Sequence, residues 1–157
     1  MDYLSHCSSP LGPITLSSDG EALTGLWFDG QKYFGATLSD CREEMDLPIF
    51  QETFRWLDLY FQGRDPGPLP LLRPKGGEYR QKVWKALLEI PYGQTVTYAR
   101  LAGLIPTSPR AAAGAVAHNP ISLIIPCHRV IGTGGALTGY AGGLDRKRHL
   151  LHLEGVL

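Results

Sequence analysis

The stretch VTYARLAGLIPTSPRAAAGAVAHNP, Val96 to Pro120, decides how the second half of this chain folds. Its prolines punctuate it, because a proline biases the residue before it away from helical geometry. A first short helix is expected over Thr97–Leu104, with Thr97 as its cap and Ile105-Pro106 as its stop. A second is expected from Pro109, capped by Ser108 and closed by Asn119-Pro120, since proline suits the first helical position. Two short helices joined by a tight turn form a helix-turn-helix. Behind Arg110 the second helix, RAAAGAVAH, presents little but methyl groups and one hydrogen. Its backbone can therefore approach closely either another helix or the wall of a nucleic-acid groove.

Upstream, Tyr79, Val83, Leu87 and Ile90 mark one face of a helix that stops at Pro91-Tyr92-Gly93. Downstream, a last helix is expected from Leu144 to Glu154. Further back, GRDPGPLPLLRPKGG (Gly63–Gly77) holds four prolines and four glycines and reads as a linker or wrapping loop. Before it, Leu11–Leu16 and Ala22–Phe28 read as short strands, with Ser18–Glu21 as the turn between them. Phe50, Phe54, Leu57 and Phe61 repeat at helical spacing behind Pro48, predicting a helix over Pro48–Gln62. The expected class is α+β: a small N-terminal α+β domain over residues 1–72 and a mainly helical C-terminal domain over 73–157. No internal repeat or low-complexity tract interrupts either.

The net charge of zero conceals an asymmetry. Residues 1–72 carry four Lys/Arg against eleven Asp/Glu, and residues 73–157 carry eleven against four. A basic half can bind phosphates, or it can simply attract the acidic half. No apolar run approaches the roughly 20 residues a membrane helix needs, and the first residues lack a signal-peptide pattern. Cys7, Cys41 and Cys127 are odd in number and widely spaced, which fits a reducing cytosolic or nuclear setting. His6, Cys7 and Cys41 match no standard metal-binding spacing; both N-terminal cysteines read as small core residues, and no metal is expected.

The chemistry concentrates in ISLIIPCHRVIG, Ile121–Gly132. Aliphatics on both sides bury this run and set Cys127, His128 and Arg129 against the core. A free thiol has a pKa of about 8.5, so a nearby base or cation is needed to raise its thiolate fraction, and His128 and Arg129 are the candidates. Adjacent residues in an extended segment point to opposite faces, so His128 reaches the thiol through a bridging water. A histidine in that role needs a carboxylate on its other nitrogen, and Glu154, ending the apolar last helix, is placed to supply one. Taken alone, the pair also reads as a structural thiol beside a packed imidazole. A cysteine hydrolase is a further alternative, although no oxyanion loop stands out.

The ordered blocks YRQKVWKALLEIPYGQTVTYARLA, SPRAAAGAVAHNP, IPCHRVIG, GALTGYAGG and LLHLEG resemble the O6-alkylguanine-DNA alkyltransferases across residues 78–157. The first half is similar to them only in length and in its strands-then-helix pattern. The resemblance implies a ribonuclease H-like N-terminal domain and irreversible transfer of an alkyl group from O6-alkylguanine in duplex DNA to Cys127, and leaves open whether O4-alkylthymine is a second donor. It implies no cofactor and a monomer. His128 then corresponds to the water-mediated base and Glu154 to its orienting carboxylate, with Asn119 bracing the active-site turn. Tyr98 corresponds to the tyrosine that helps extrude the nucleotide and protonates guanine N3, and Arg110 to the arginine that fills the gap. Ala111, Gly114, Thr95 and Thr133 fall at DNA-facing positions. Val130, Tyr140, Ala141 and Pro120 fall around the alkylguanine pocket, with main chain at Cys127 and Val130 reading the base edge. Tyr79, Ala99 and Ala141 depart from residues common in the family, and the loop Ile105–Pro109 is about two residues shorter than in some of its members. Alkyltransferase-like damage sensors share the fold but lack the acceptor cysteine, so Cys127 argues against that role.

Overall fold

A computed structural model describes residues 1–157. The N-terminal half is a four-stranded mixed sheet backed by one long helix. Its strands are β1 (Asp2–Cys7), β2 (Ile14–Ser18), β3 (Leu23–Phe28) and β4 (Cys41–Glu43), in the order β3-β2-β1-β4. β1 and β3 run antiparallel to β2, and β4 runs parallel to β1. β2 and β3 are buried along their whole length. Helix α1 (Pro48–Phe61) starts with proline at its first turn, as expected, and buries Phe50, Trp56, Leu57 and Tyr60.

Three points of the N-terminal reading need correction. The first predicted strand is displaced, since Leu11–Pro13 form a turn and the strand begins at Ile14. β1 itself was not foreseen, because DYLSHC lacks an apolar alternation. Tertiary partners satisfy its polar groups instead: Asp2 is buried, receiving Lys75 Nζ at 2.7 Å and the Ser39 backbone N–H at 2.7 Å. Cys41 is no core residue, for it lies exposed on edge strand β4, and Cys7 is only half-buried.

The C-terminal half contains α2 (Glu78–Leu88), β5 (Val96–Thr97), α3 (Tyr98–Leu104), α4 (Pro109–Ala117), β6 (Val130–Ile131) and α5 (Leu144–Leu153). The predicted caps form: Thr97 Oγ1 accepts from the Arg100 N–H and Ser108 Oγ from the Ala111 N–H, each at 3.1 Å. α3 and α4 make the helix-turn-helix, and Trp84 on α2 locks α4 by donating to the Ala115 carbonyl at 2.9 Å. β5 pairs in parallel with β6, tying the start of α3 to the segment that follows Cys127.

One cluster of 26 buried residues runs through both halves, so neither has a core entirely its own. The free edge of β3 is covered twice. Leu23 exchanges hydrogen bonds with Leu71 and Arg73 of the linker, and Leu26 bonds Pro120 and Ser122. The N-terminal sheet thus serves as a template for the segment leading into the cysteine. Some of the basic surplus meets the acidic half directly, through Arg73 with Asp19 and Glu21 and Lys75 with Asp2. No helix is long and apolar enough to cross a membrane.

Candidate active site

Residues 119–130 are shaped by a chain of tight turns. Asn119, buried, clamps the first part: its Oδ1 accepts from the Ile121 N–H at 3.0 Å and its Nδ2 donates to the Ile125 carbonyl at 2.8 Å. Between them Leu123 is held at φ 72, with the Ile124 N–H bonded to the Ser122 carbonyl at 2.8 Å. That is a γ-turn on a branched residue, a conformation costing on the order of 1–3 kcal/mol and retained because the surrounding core fixes it. A second, inverse γ-turn follows at Pro126 (φ −81, ψ 64), closed by the Cys127 N–H on the Ile125 carbonyl at 2.7 Å.

The expected extended geometry at Cys127–Arg129 is not found; the three residues form a 3-10 turn. Its three residues per turn still separate neighbouring side chains by about 120°, so His128 points away from its predecessor. Both are buried, Cys127 at 3% exposure and His128 at 0%. Burial raises the Cys127 pKa, and the nearby Asn119 amide and Lys147 ammonium offset this only in part. The resting thiol is therefore protonated and needs a base to remove its proton.

His128 Nε2 lies 2.6 Å from Glu154 Oε2. Burial lowers the His128 pKa against the opposing pull of Glu154, so the ring is neutral near pH 7. With Nε2–H donating to the carboxylate, Nδ1 is left as an acceptor, and it is buried without a protein partner. A buried acceptor of this kind is normally met by an ordered water. Glu154, at the C-terminal end of α5, is a convergence point. Its Oε1 accepts from Arg129 Nε at 2.8 Å and from the Gly93 N–H at 3.2 Å, while its Oε2 also accepts from Tyr60 Oη at 2.5 Å. Burial pushes its pKa up, but the hydrogen bonds from His128, Arg129 and Tyr60 outweigh it and hold the value at about 2.

Both partners therefore bind protons more weakly folded than unfolded, and acid costs stability twice over. As pH falls below about 6.5 the unfolded chain gains the His128 proton first, and from about 4.5 towards 2 it gains that of Glu154. The Glu154 contribution is fully present above pH 4.5 and is lost as pH falls towards 2. Thermal unfolding between pH 7 and pH 3 is expected to show a steadily falling midpoint. Glu154→Gln should start lower, because Arg129 loses its buried partner, and should lose less over the acid limb. Parallel wild-type and mutant curves would contradict this assignment.

The cation beside the thiol is not Arg129, as the sequence suggested, but Lys147. Arg129 turns to Glu154 and to the Ile90 carbonyl at 2.7 Å. Lys147 is fully buried on α5 and donates to the carbonyls of Val130, Thr138 and Gly139 at 2.6, 2.9 and 3.3 Å. Burial drops its pKa to about 8, with the facing Cys127 pulling the other way. Helical spacing contained this signal, since Lys147 falls on the same face as Leu150 and Leu151.

A cleft of about 620 Å³ opens between the helix-turn-helix and the loop 138–141. Tyr98, Arg110, Tyr140 and Ala141 line it together with Lys32, which reaches in from the N-terminal half. Lys32 N–H bonds the Ala141 carbonyl at 2.9 Å, a contact no local pattern announced. Tyr140 is wedged in place, since a Cβ on Gly142 would come within 2.5 Å of its ring, and its buried hydroxyl has no protein partner. Arg110, Ala111 and Gly114 share the exposed face of α4, whose other face buries Ala112, Ala115 and Val116. Thr95 and Thr133 lie outside the cleft, half-buried and exposed respectively. Val130, Pro120 and Cys127 are buried and do not line it. The Tyr98 hydroxyl donates to the Thr138 and Gly139 carbonyls, and burial pushes its pKa up to about 12. His6, Cys7 and Cys41 do not converge: His6 pairs with Glu43, Cys7 points to the other sheet face, and Cys41 sits opposite Asp2.

Fold and site together define a helix-turn-helix protein carrying a buried cysteine backed by an imidazole–carboxylate pair. Residues 78–156 match the 6-O-methylguanine DNA methyltransferase DNA-binding domain, and residues 3–69 match the ribonuclease-like domain of the same family. The methylated-DNA–protein-cysteine methyltransferase of Haemophilus influenzae is 42% identical, aligning over 97% of this chain and 86% of its own. That of Methanosarcina acetivorans is 45% identical over 98% of both. The crystal structure of Mycobacterium tuberculosis OGT in complex with DNA superposes with a TM-score of 0.88 at 40% identity, covering 97% of this chain and 92% of that one. The chain belongs to the 6-O-methylguanine DNA methyltransferase family, a class of enzymes that repairs DNA by methyl transfer to a protein cysteine.

Proposed function

We propose that the protein reverses O6-alkylguanine damage in duplex DNA in a single turnover, with Sγ of Cys127 as the permanent alkyl acceptor. The observation carrying this reading is the buried, protonated thiol one residue before a neutral imidazole whose Nε2 is fixed on Glu154 and whose Nδ1 is unpartnered. A water on Nδ1 takes the thiol proton as sulfur attacks the alkyl carbon in line. The carbon–oxygen bond breaks, its electron pair stays on the guanine, and a proton delivered to the base restores neutral guanine. The new carbon–sulfur bond is a stable thioether, and the site holds no group able to cleave it.

A stacked base cannot bring its O6 substituent to a buried thiol, so the nucleotide leaves the helix and enters the cleft. Arg110, leading the small-residue face of α4, fills the gap, and Ala111 and Gly114 let the backbone approach the groove. Tyr98 turns the nucleotide out by contact of its ring. Delivering its proton to N3 requires first releasing its bonds to the two carbonyls. The Cys127 and Val130 carbonyls each keep one lone pair for the guanine amine, since Val130 N–H and Lys147 Nζ take the other. The DNA bound in the mycobacterial structure supports DNA as the partner.

Incubation with a duplex bearing one O6-methylguanine tests the proposal. Peptide mass spectrometry should find one added methyl on Cys127, with repair stopping at one lesion per protein in excess DNA. An unmodified Cys127 beside an intact lesion, or repeated turnover, sinks it.

A further inference from the structure

The Glu154 carboxylate is not held by the C-terminal half alone. Tyr60 lies near the end of α1, in the N-terminal half, 1% exposed and stacked on Trp56 with ring centroids 5.4 Å apart. Its hydroxyl reaches across 94 positions of sequence to donate to Oε2, the same oxygen that accepts from His128 Nε2. Arg129 Nη2 also approaches Oε2, at 3.1 Å. An oxygen with two lone pairs thus serves three donors, and any strengthening of one weakens the others. Glu154 faces Tyr60 from α1, Tyr92 from the loop after α2, and His128 and Arg129 from the 3-10 turn, while Lys147 of α5 and the Cys127 thiol lie next to His128.

We propose that Tyr60 is a positioning residue of the alkyl-transfer site: its hydroxyl orients the Glu154 carboxylate and limits how strongly that carboxylate supports proton uptake by His128. The N-terminal half would then take part in the chemistry and not only carry the C-terminal half. The inference rests on the role of His128 proposed above. Tyr60 touches no reacting atom, and acts only through Glu154. Every donor on Oε2 withdraws electron density from the carboxylate, so removing the phenol leaves a stronger acceptor facing Nε2–H and makes the imidazole a stronger base.

The test is the pH dependence of single-turnover methyl transfer from an O6-methylguanine duplex, measured for wild type and Tyr60→Phe together with duplex affinity and thermal midpoint. Tyr60→Phe keeps the stacked ring and removes only the donor. Its acid limb should move to higher pH by about half a unit to one unit, with duplex affinity unchanged. Site-specific replacement of Tyr60 by 3-fluorotyrosine, a stronger donor of nearly the same shape, should move the limb the opposite way. It also serves as the measurement if the phenylalanine variant does not fold. Opposite shifts cannot come from a merely structural role. Profiles superimposing on wild type, with only the thermal midpoint altered, overturn the inference while leaving the function intact. A wild-type protein that leaves Cys127 unmethylated overturns the function itself.

Discussion

Cys127→Ser is expected to bind an O6-methylguanine duplex as the wild-type protein does and to leave the lesion in place. The substitution changes one buried atom inside a turn that main-chain bonds and Asn119 define, so the fold and the exposed face of α4 should persist. The chemistry should not. Burial already raises the pKa of the thiol, and the same desolvation bears on a serine alkoxide that starts from a far weaker acid. A neutral imidazole reaching through water can take a proton from a thiol but not usefully from an alcohol. Loss of the nucleophile in enzymes with comparable assemblies removes three or more orders of magnitude of rate, and at least about 10³-fold is expected here. Nucleoside analysis of the DNA, with a gel shift on the same samples, measures both halves of this expectation. Methylation found instead on Cys7 or Cys41 would reject the assignment. That outcome has no physical support, since burial pushes the Cys7 thiol up to about 11 and Cys41 lies exposed on the far edge of the sheet.

Arg110→Ala should separate the substrate's context from its chemistry. Arg110 stands exposed in the first turn of α4, lines the cleft and makes no hydrogen bond to His128 or Glu154. Unstacking a nucleotide costs a few kcal/mol, and an intercalating side chain offsets part of this. Losing an offset of about 1.4–2.7 kcal/mol corresponds to a ten- to hundredfold slower transfer from duplex DNA. Free O6-benzylguanine needs no extrusion, and its rate should stay nearly unchanged. Equal losses on both substrates would place Arg110 in the chemistry or the folding and remove its role in extrusion.

The order of helices, both helix caps and the boundary prolines were legible because each rests on local chemistry: a hydroxyl meeting an unpaired N–H, or a ring that forbids a helical neighbour. Glu154 was legible as well, because only four carboxylates fall in the second half and one of them ends an apolar helix. β1 was not, since its polar residues become acceptable in a strand only when Lys75 and Ser39 arrive from elsewhere to satisfy Asp2. The 3-10 turn at Cys127 was also hidden. Pro126 suggests an extended approach, and only the Asn119 clamp and the core around Leu123 fold that approach into successive γ-turns.

By itself, then, the sequence determined which residues are available for chemistry: a lone cysteine between aliphatic runs, its histidine neighbour, the terminal glutamate, and a small-residue helix led by arginine. Hydrophobic burial and side-chain identity act at short range, so they can be read along the chain. The tertiary structure alone decided how these groups are tuned. It made Lys147 and not Arg129 the cation beside the thiol, left His128 Nδ1 open, and brought Tyr60 and Lys32 across from the other half. Hydrogen bonding and desolvation depend on distances of a few ångströms between residues remote in sequence, and those distances exist only once the shared core has closed.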